Sequence, residues 1–167
     1  MHAQNDNAVR VIKNTESRPR RAFHGTLINS VQRGVARTMT PETQTITKYL
    51  TASPNVEVAW LYGSRATGLH SDASDYDIAV ALVPERLQPE ERQEILEDLA
   101  YYLRQQLSAG VSVVDINRVP VPLAYNIISQ GKVLFCSSDL RLRTEQQRVW
   151  SLWAEYKAEH ERNRTAL

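Results

Sequence analysis

The chain predicts an α/β (α+β) fold: a small mixed sheet with flanking helices, followed by a long C-terminal helix. Three observations carry that reading. Two β-branched and aromatic runs, residues 56–62 and 75–82, are separated by a Gly/Ser/Asp-containing connection. A 23-residue stretch, 88–110, has leucine and isoleucine at helical spacing. The tail from Leu140 is charged on most sides and carries Val149, Trp150, Leu152, Trp153 and Tyr156 along one.

Taken in order, "TPETQTITKYL" from Thr40 reads as a helix start. Thr40 can cap, Pro41 suits the first turn, and Glu42 favours the positive end of the helix dipole. Pro54-Asn55 breaks it. "VEVAWLY" (56–62) follows as a strand, with Val56, Val58, Trp60 and Tyr62 expected on one face. "DYDIAVAL" (75–82) is a second strand. In "QPEERQEILEDLAYYLRQQLSAG" (88–110), acids lead, Ile95, Leu96, Leu99, Leu103 and Leu107 form the stripe, and Gly110 marks the stop. "VSVVDIN" (111–117) is a third strand, "PLAYNIISQG" a short apolar helix closed by Gly131, and "KVLFC" (132–136) an edge strand. Alternation of strands and helices places the helices against one layer of sheet.

Composition narrows the classes. The 167 residues suit one globular domain, 42% apolar and 23% charged, with net charge +1. No apolar run approaches the ~18 residues of a membrane span. A single cysteine, Cys136, excludes an intramolecular disulfide and fits a reducing, cytoplasmic setting; its expected place is that of a small buried hydrophobe. Charge is uneven. Residues 1–38 hold seven Lys/Arg against two acids, net +5, and the remainder, thirteen against seventeen, is net −4. That polar, aperiodic segment is expected to be a disordered or artefactual leader rather than a basic arm for nucleic acid, with Met39 a credible start in its own right. Asp6 and Glu16 argue against a transit peptide. Three segments result: the leader 1–38, a domain 39–139, and the C-terminal helix 140–167 as a candidate partner-docking element.

The chemistry concentrates in "LYGSRATGLHSDASDYDIAVALV", residues 61–83. Ten residues separate Ser64 from Asp75, giving G-S-x10-D-x-D. Asp75 and Asp77, two apart on a strand, point to the same face. Adjacent carboxylates repel and resist ionising together unless a counter-charge is present. Mg²⁺ resolves this conflict, since it binds through one or two carboxylates together with phosphate oxygens. Gly63 lets the backbone approach an anion closely, and Ser64 adds a hydroxyl. Phosphate at one end and metal at the other is the apparatus of two-metal nucleotidyl transfer. Arg65 either neutralises phosphate charge or is a surface arginine. His70 has no second ligand nearby and reads as exposed, and Ser71 and Ser74 as stabilising the turn before Asp75. The alternative for Asp75 and Asp77 is a pair of solvated acids on an edge strand.

These residues resemble the signature of the DNA polymerase β-like nucleotidyltransferase superfamily, and within it the MNT-type minimal nucleotidyltransferases, antitoxins of HEPN/MNT toxin–antitoxin pairs. The resemblance covers Thr40 to Cys136, including "VVDINRVPVPLAYNIISQGKVLF". It implies ATP as substrate, Mg²⁺ as cofactor, and transfer of AMP to a tyrosine of a HEPN RNase toxin, with no membrane and no direct nucleic-acid binding. It also implies a third carboxylate on a later strand, where this chain has Ser112. Asp115 is the only acid in that strand, and a bulge or strand end would have to bring it round to the pair. The implied site is Asp75, Asp77 and Asp115 for metal and catalysis, and Gly63, Ser64 and Arg65 for the nucleotide. The rival is a non-catalytic antitoxin that masks its toxin by contact alone, for which Ser112 speaks. The short chain argues against template-reading polymerases and against aminoglycoside nucleotidyltransferases with a separate substrate domain.

Overall fold

The computed structural model describes residues 39–83 and 87–165; the expected leader, 1–38, lies outside them. Helix α1 (Pro41–Ala52) begins as its sequence dictates: the Thr40 hydroxyl accepts from the Thr43 amide at 3.3 Å, with Pro41 in the first turn. Strand β1 (Val56–Tyr62), the one-turn helix α2 (Gly63–Thr67) and strand β2 (Tyr76–Leu82) follow. Helix α3 (Pro89–Leu107) carries the chain over to β3 (Val111–Asp115), and α4 (Val121–Gln130) leads to β4 (Lys132–Cys136). Helix α5 (Asp139–Thr165) ends the described chain.

The strands form one sheet in the order β3-β2-β1-β4. β1 is antiparallel to both neighbours, whereas β3 runs parallel to β2, as the α3 crossover requires. Helices cover both faces. On one, Ile46 and Leu50 of α1 and Leu99 and Leu103 of α3 bury Ile78, Val80 and Leu82. On the other, Ala124 and Ile127 of α4 and Leu142 and Val149 of α5 bury Val58, Trp60, Ala79 and Ala81. Central strands buried on both faces explain why β1 and β2 read as nearly continuous apolar runs.

Three expectations need correction. Val56 does not share a face with Val58, Trp60 and Tyr62; it packs with Ala59 and Leu61. Val56 pairs with Leu82 and Val58 with Ala81, so Glu57 is an extra residue and the bulge reverses the alternation. The connection after β1 starts with a helical turn, too short to show a period in sequence. α3 stops at Leu107, with Ser108 in the left-handed region at φ 49°, and so leaves Gly110 outside the helix for another use.

Helix α5 is fixed by charge as well as by Leu142 and Val149. Buried Glu145 accepts from Arg141 (2.9 Å), Arg148 (2.8 Å) and both ways from the Asn117 amide (3.0 and 2.9 Å), which ties the helix to the turn after β3. Beyond Val149 the helix runs clear of the core, and Trp150 and Tyr156 are 51% and 41% exposed. Among the described residues no helix is long and apolar enough to cross a membrane.

Candidate active site

β1 ends at Tyr62, whose partner on β2 is Asp77. The next residue, Gly63, has φ +69°, a conformation that side chains other than glycine's rarely adopt. A Cβ at this position would also overlap the Asp77 carboxylate. Gly63 is therefore required twice, once by the turn and once by the acid packed against it. Ser64 follows, half-buried, in the first turn of α2.

Asp75 precedes β2 by one residue and is exposed; Asp77 lies inside the strand, half-buried. Ile78, Val80 and Leu82 face the α1/α3 core while Ala79 and Ala81 face the α4/α5 core, so alternation puts Asp75 and Asp77 together on the α4/α5 side. Behind Asp75 stands Gly110, whose carbonyl accepts the Tyr76 N–H at 2.8 Å, and a Cβ there would run into the Asp75 carboxylate. Each carboxylate thus rests against a glycine.

β3 lies beside β2 in unbroken register, pairing Asp77 with Ser112 and Val80 with Asp115. The Ser112 hydroxyl donates to Asp77 Oδ1 at 2.9 Å. The Tyr62 phenol completes the group: burial raises its pKa, the Ser112 hydroxyl works against that, and the Asp77 charge adds to it.

Asp115 is not brought to this pair. No bulge interrupts β3, so Asp115 keeps the parity of Val111 and Val113 and faces the α1/α3 side, about 10 Å along the strand from the position of Ser112. Its side chain, 1% exposed, pairs with Arg92 of α3 at 2.9 Å and accepts the Asn117 N–H at 2.9 Å. A shallow cavity of about 480 Å³ beside this pair is lined by Leu96, Val113, Arg118 and Val119. The position beside Asp77 is held by a neutral serine.

Arg65 is engaged by the loop. Its Nε and one terminal nitrogen donate to the Ser74 carbonyl (2.8 and 2.6 Å), the same nitrogen reaches the Asp72 carbonyl (3.3 Å), and the guanidinium lies 3.9 Å over the Tyr76 ring. His70 is exposed, and the Ser71 amide donates to the Ser74 hydroxyl at 3.0 Å, so both serines stabilise the turn before Asp75. Cys136 is half-buried against the α4/α5 core, and that burial pushes its thiol pKa up. Two contributors were missed in sequence. Gly110 reads there only as a helix stop, and Tyr62 only as a core-facing strand residue. Pairing β1 with β2 in antiparallel register would have exposed Tyr62, but that register is not written in either strand alone.

The donor set fits a hard divalent cation. Asp75 and Asp77 offer carboxylate oxygens, and among the described residues neither is ion-paired. Among those residues no group of three or more His, Cys, Asp or Glu is arranged to hold a metal. Two carboxylates with the remaining positions left to water and phosphate is the Mg²⁺ pattern.

Comparison with known proteins bears on the family and the fold. The family described as polymerase beta, nucleotidyltransferase, matches residues 44–140. A toxin–antitoxin structure with AMP-PNP superposes with a TM-score of 0.60 at 25% identity, over 73% of this chain and 94% of that one. The MntA–HepT toxin–antitoxin structure gives 0.56 at 25% identity, over 72% and 91%. The MNT antitoxin complex with a tri-AMPylated HEPN toxin from Shewanella oneidensis gives 0.54 at 22% identity, over 71% and 92%, and speaks for the fold alone. No curated protein matches the chain. With the matched residues spanning more than half of its length, and with the glycine–serine turn and paired carboxylates in place, the chain belongs to the polymerase beta nucleotidyltransferase family.

Proposed function

We propose that the chain is the antitoxin of a toxin–antitoxin pair, a nucleotidyltransferase that moves AMP from ATP to a tyrosine of a HEPN-domain RNase toxin and so silences it. The observation that carries this reading is the pair Asp75 and Asp77, held on one face at the mouth of the sheet, each against a glycine and with no ion-pair partner among the described residues. The likeness to toxin–antitoxin structures, one of them with AMP-PNP, supports the partner and the nucleotide.

Asp75 and Asp77 would hold Mg²⁺, and Gly63-Ser64 would face the phosphates. A bound Mg²⁺ would neutralise charge on the α-phosphate and on the departing pyrophosphate. The toxin's tyrosine oxygen bonds to the α-phosphorus, the bond to the β-phosphate oxygen breaks, and pyrophosphate leaves. With Asp115 turned away and Ser112 neutral, the tyrosine proton passes to water at the exposed Asp75 end. Phosphoryl and nucleotidyl transfer needs positioning and electrostatics more than a strong base, and these the two carboxylates with a bound cation would supply. The setting is the reducing cytoplasm.

Helix α5 is the proposed docking element. Tyr125 of α4 stacks on Trp153 at 4.5 Å and Trp153 on Tyr156 at 5.5 Å, while Trp150 and Tyr156 keep large exposed faces. Aromatic anchors of this kind dominate binding energy at interfaces.

Ser112 favours one second reading, in which the chain masks the toxin without chemistry. If a HEPN protein with an Arg-x4-His-x-Tyr motif is encoded beside the chain, the two are separated by incubating it with the chain, α-labelled ATP and Mg²⁺. Label on the partner's tyrosine supports transfer; a stable complex without label supports masking.

A further inference from the structure

We infer that Arg65 is a positioning residue for Asp75 and not a contact to the nucleotide, an inference that rests on the reading of Asp75 and Asp77 as the cation-binding pair. Asp75 stands one residue outside β2, so the strand ladder holds it only from behind, through Tyr76 N–H to the Gly110 carbonyl at 2.8 Å. In front of it the loop from Gly68 to Ala73 is exposed at every residue, and the Ser71–Ser74 turn bonds hold its backbone without apolar packing. Arg65 supplies what the loop lacks. Two of its nitrogens converge on the Ser74 carbonyl, at 2.8 and 2.6 Å, which is the carbonyl of the peptide that joins Ser74 to Asp75. Its guanidinium carbon stacks 3.9 Å over the ring of Tyr76, the residue on the other side. One planar group therefore grips the residue before Asp75 and the residue after it.

Gly110 closes the remaining side, leaving no room for a Cβ beside the carboxylate. Arg65 is suited to this task by its chemistry. A guanidinium is a rigid fork that donates two parallel bonds and stacks on aromatic faces; an ammonium on a flexible stem does neither. With Nε and one terminal nitrogen committed to loop carbonyls, those donors of Arg65 are not available to a phosphate. The consequence falls on cation affinity, since losing a group that orients a metal ligand typically costs about 10- to 100-fold in affinity.

The test uses the full chain without nucleotide and Mn²⁺ as the probe, titrated by electron paramagnetic resonance, with ATP binding in EDTA measured alongside. Arg65→Lys is expected to weaken Mn²⁺ binding about 10-fold and Arg65→Gln at least as much. Both should leave ATP binding in EDTA unchanged and should remain folded by circular dichroism at the assay temperature. Wild-type Mn²⁺ affinity in Arg65→Lys overturns the inference, as does a loss of metal-free ATP binding in Arg65→Gln, which would make Arg65 a phosphate contact. Asp75→Asn serves as the control on the underlying reading and should lose Mn²⁺ binding. If it binds Mn²⁺ like the wild type, the cation pair itself is misassigned and the role of Arg65 falls with it; if only the Arg65 variants are unaffected, the inference alone fails.

Discussion

Two groups of acids, one at the head of β2 and the other at the end of β3 and on α5, are treated in opposite ways. Asp75 and Asp77 stand at the mouth of β2, against Gly63 and Gly110, with no ion pair among the described residues. At the far end, Asp115 and Glu145 are the buried charged residues among those described, and both are met by arginine: Arg92 for Asp115, Arg141 and Arg148 for Glu145. An acid that the fold intends to keep buried is given its counter-charge from the chain. A repelling pair left at the surface beside glycines takes its counter-charge from solution. The difference distinguishes a structural carboxylate from a candidate metal ligand where residue type alone does not.

The largest expected effect lies at the open pair. Asp77→Asn should lower AMP transfer to the partner by on the order of 100-fold or more, since it removes a ligand charge but keeps the shape. Its melting temperature should stay level or rise, because one of two repelling charges is gone. Normal transfer by this variant at saturating Mg²⁺ would break the comparison. At the closed end the signs reverse. Asp115→Ala removes the buried carboxylate that pairs with Arg92 and accepts the Asn117 N–H, and should cost about 3 kcal/mol of stability by urea unfolding, with Mn²⁺ binding of the folded protein retained. Gly110→Ala should stand between these, with a small loss of stability and a clear loss of Mn²⁺ affinity, because the new Cβ meets Asp75 and not the core.

Helix α5 provides a weaker contrast of the same kind. Trp150→Ala and Tyr156→Ala remove half-exposed rings that touch aromatic neighbours, and should weaken co-purification with the partner while costing about 0.5 kcal/mol of stability. Trp153→Ala removes a ring stacked on Tyr125 and should cost about 1 kcal/mol of stability as well. The smallest effect concerns Tyr62. Burial holds its phenol above the ordinary value of 10.0, with a further push from the Asp77 charge. The native state keeps that proton to higher pH than the unfolded chain, so stability should fall as pH rises above about 10. Absorbance titration at 295 nm should show the Tyr62 transition moving down in Asp77→Asn.

Much of this was legible in sequence because it is local. The Thr40 cap, the α3 stripe and the alternation that aligns Asp75 with Asp77 each depend on a few neighbouring residues. What stayed hidden was set by pairing between distant segments. The bulge at Glu57 moved Val56 to the other face, and the unbroken β2/β3 register put Ser112, not Asp115, beside Asp77. Gly110 shows the limit well: its role is defined by a carboxylate thirty-five positions earlier, and nothing in "SAG" records that contact.

The most direct test of the account compares Asp115→Asn with Asp77→Asn in one assay, with α-labelled ATP, Mg²⁺ and the HEPN partner, at a temperature where circular dichroism shows both folded. Asp115→Asn is expected still to label the partner's tyrosine, and Asp77→Asn is not. Loss of labelling in folded Asp115→Asn, with labelling kept in Asp77→Asn, would contradict this expectation.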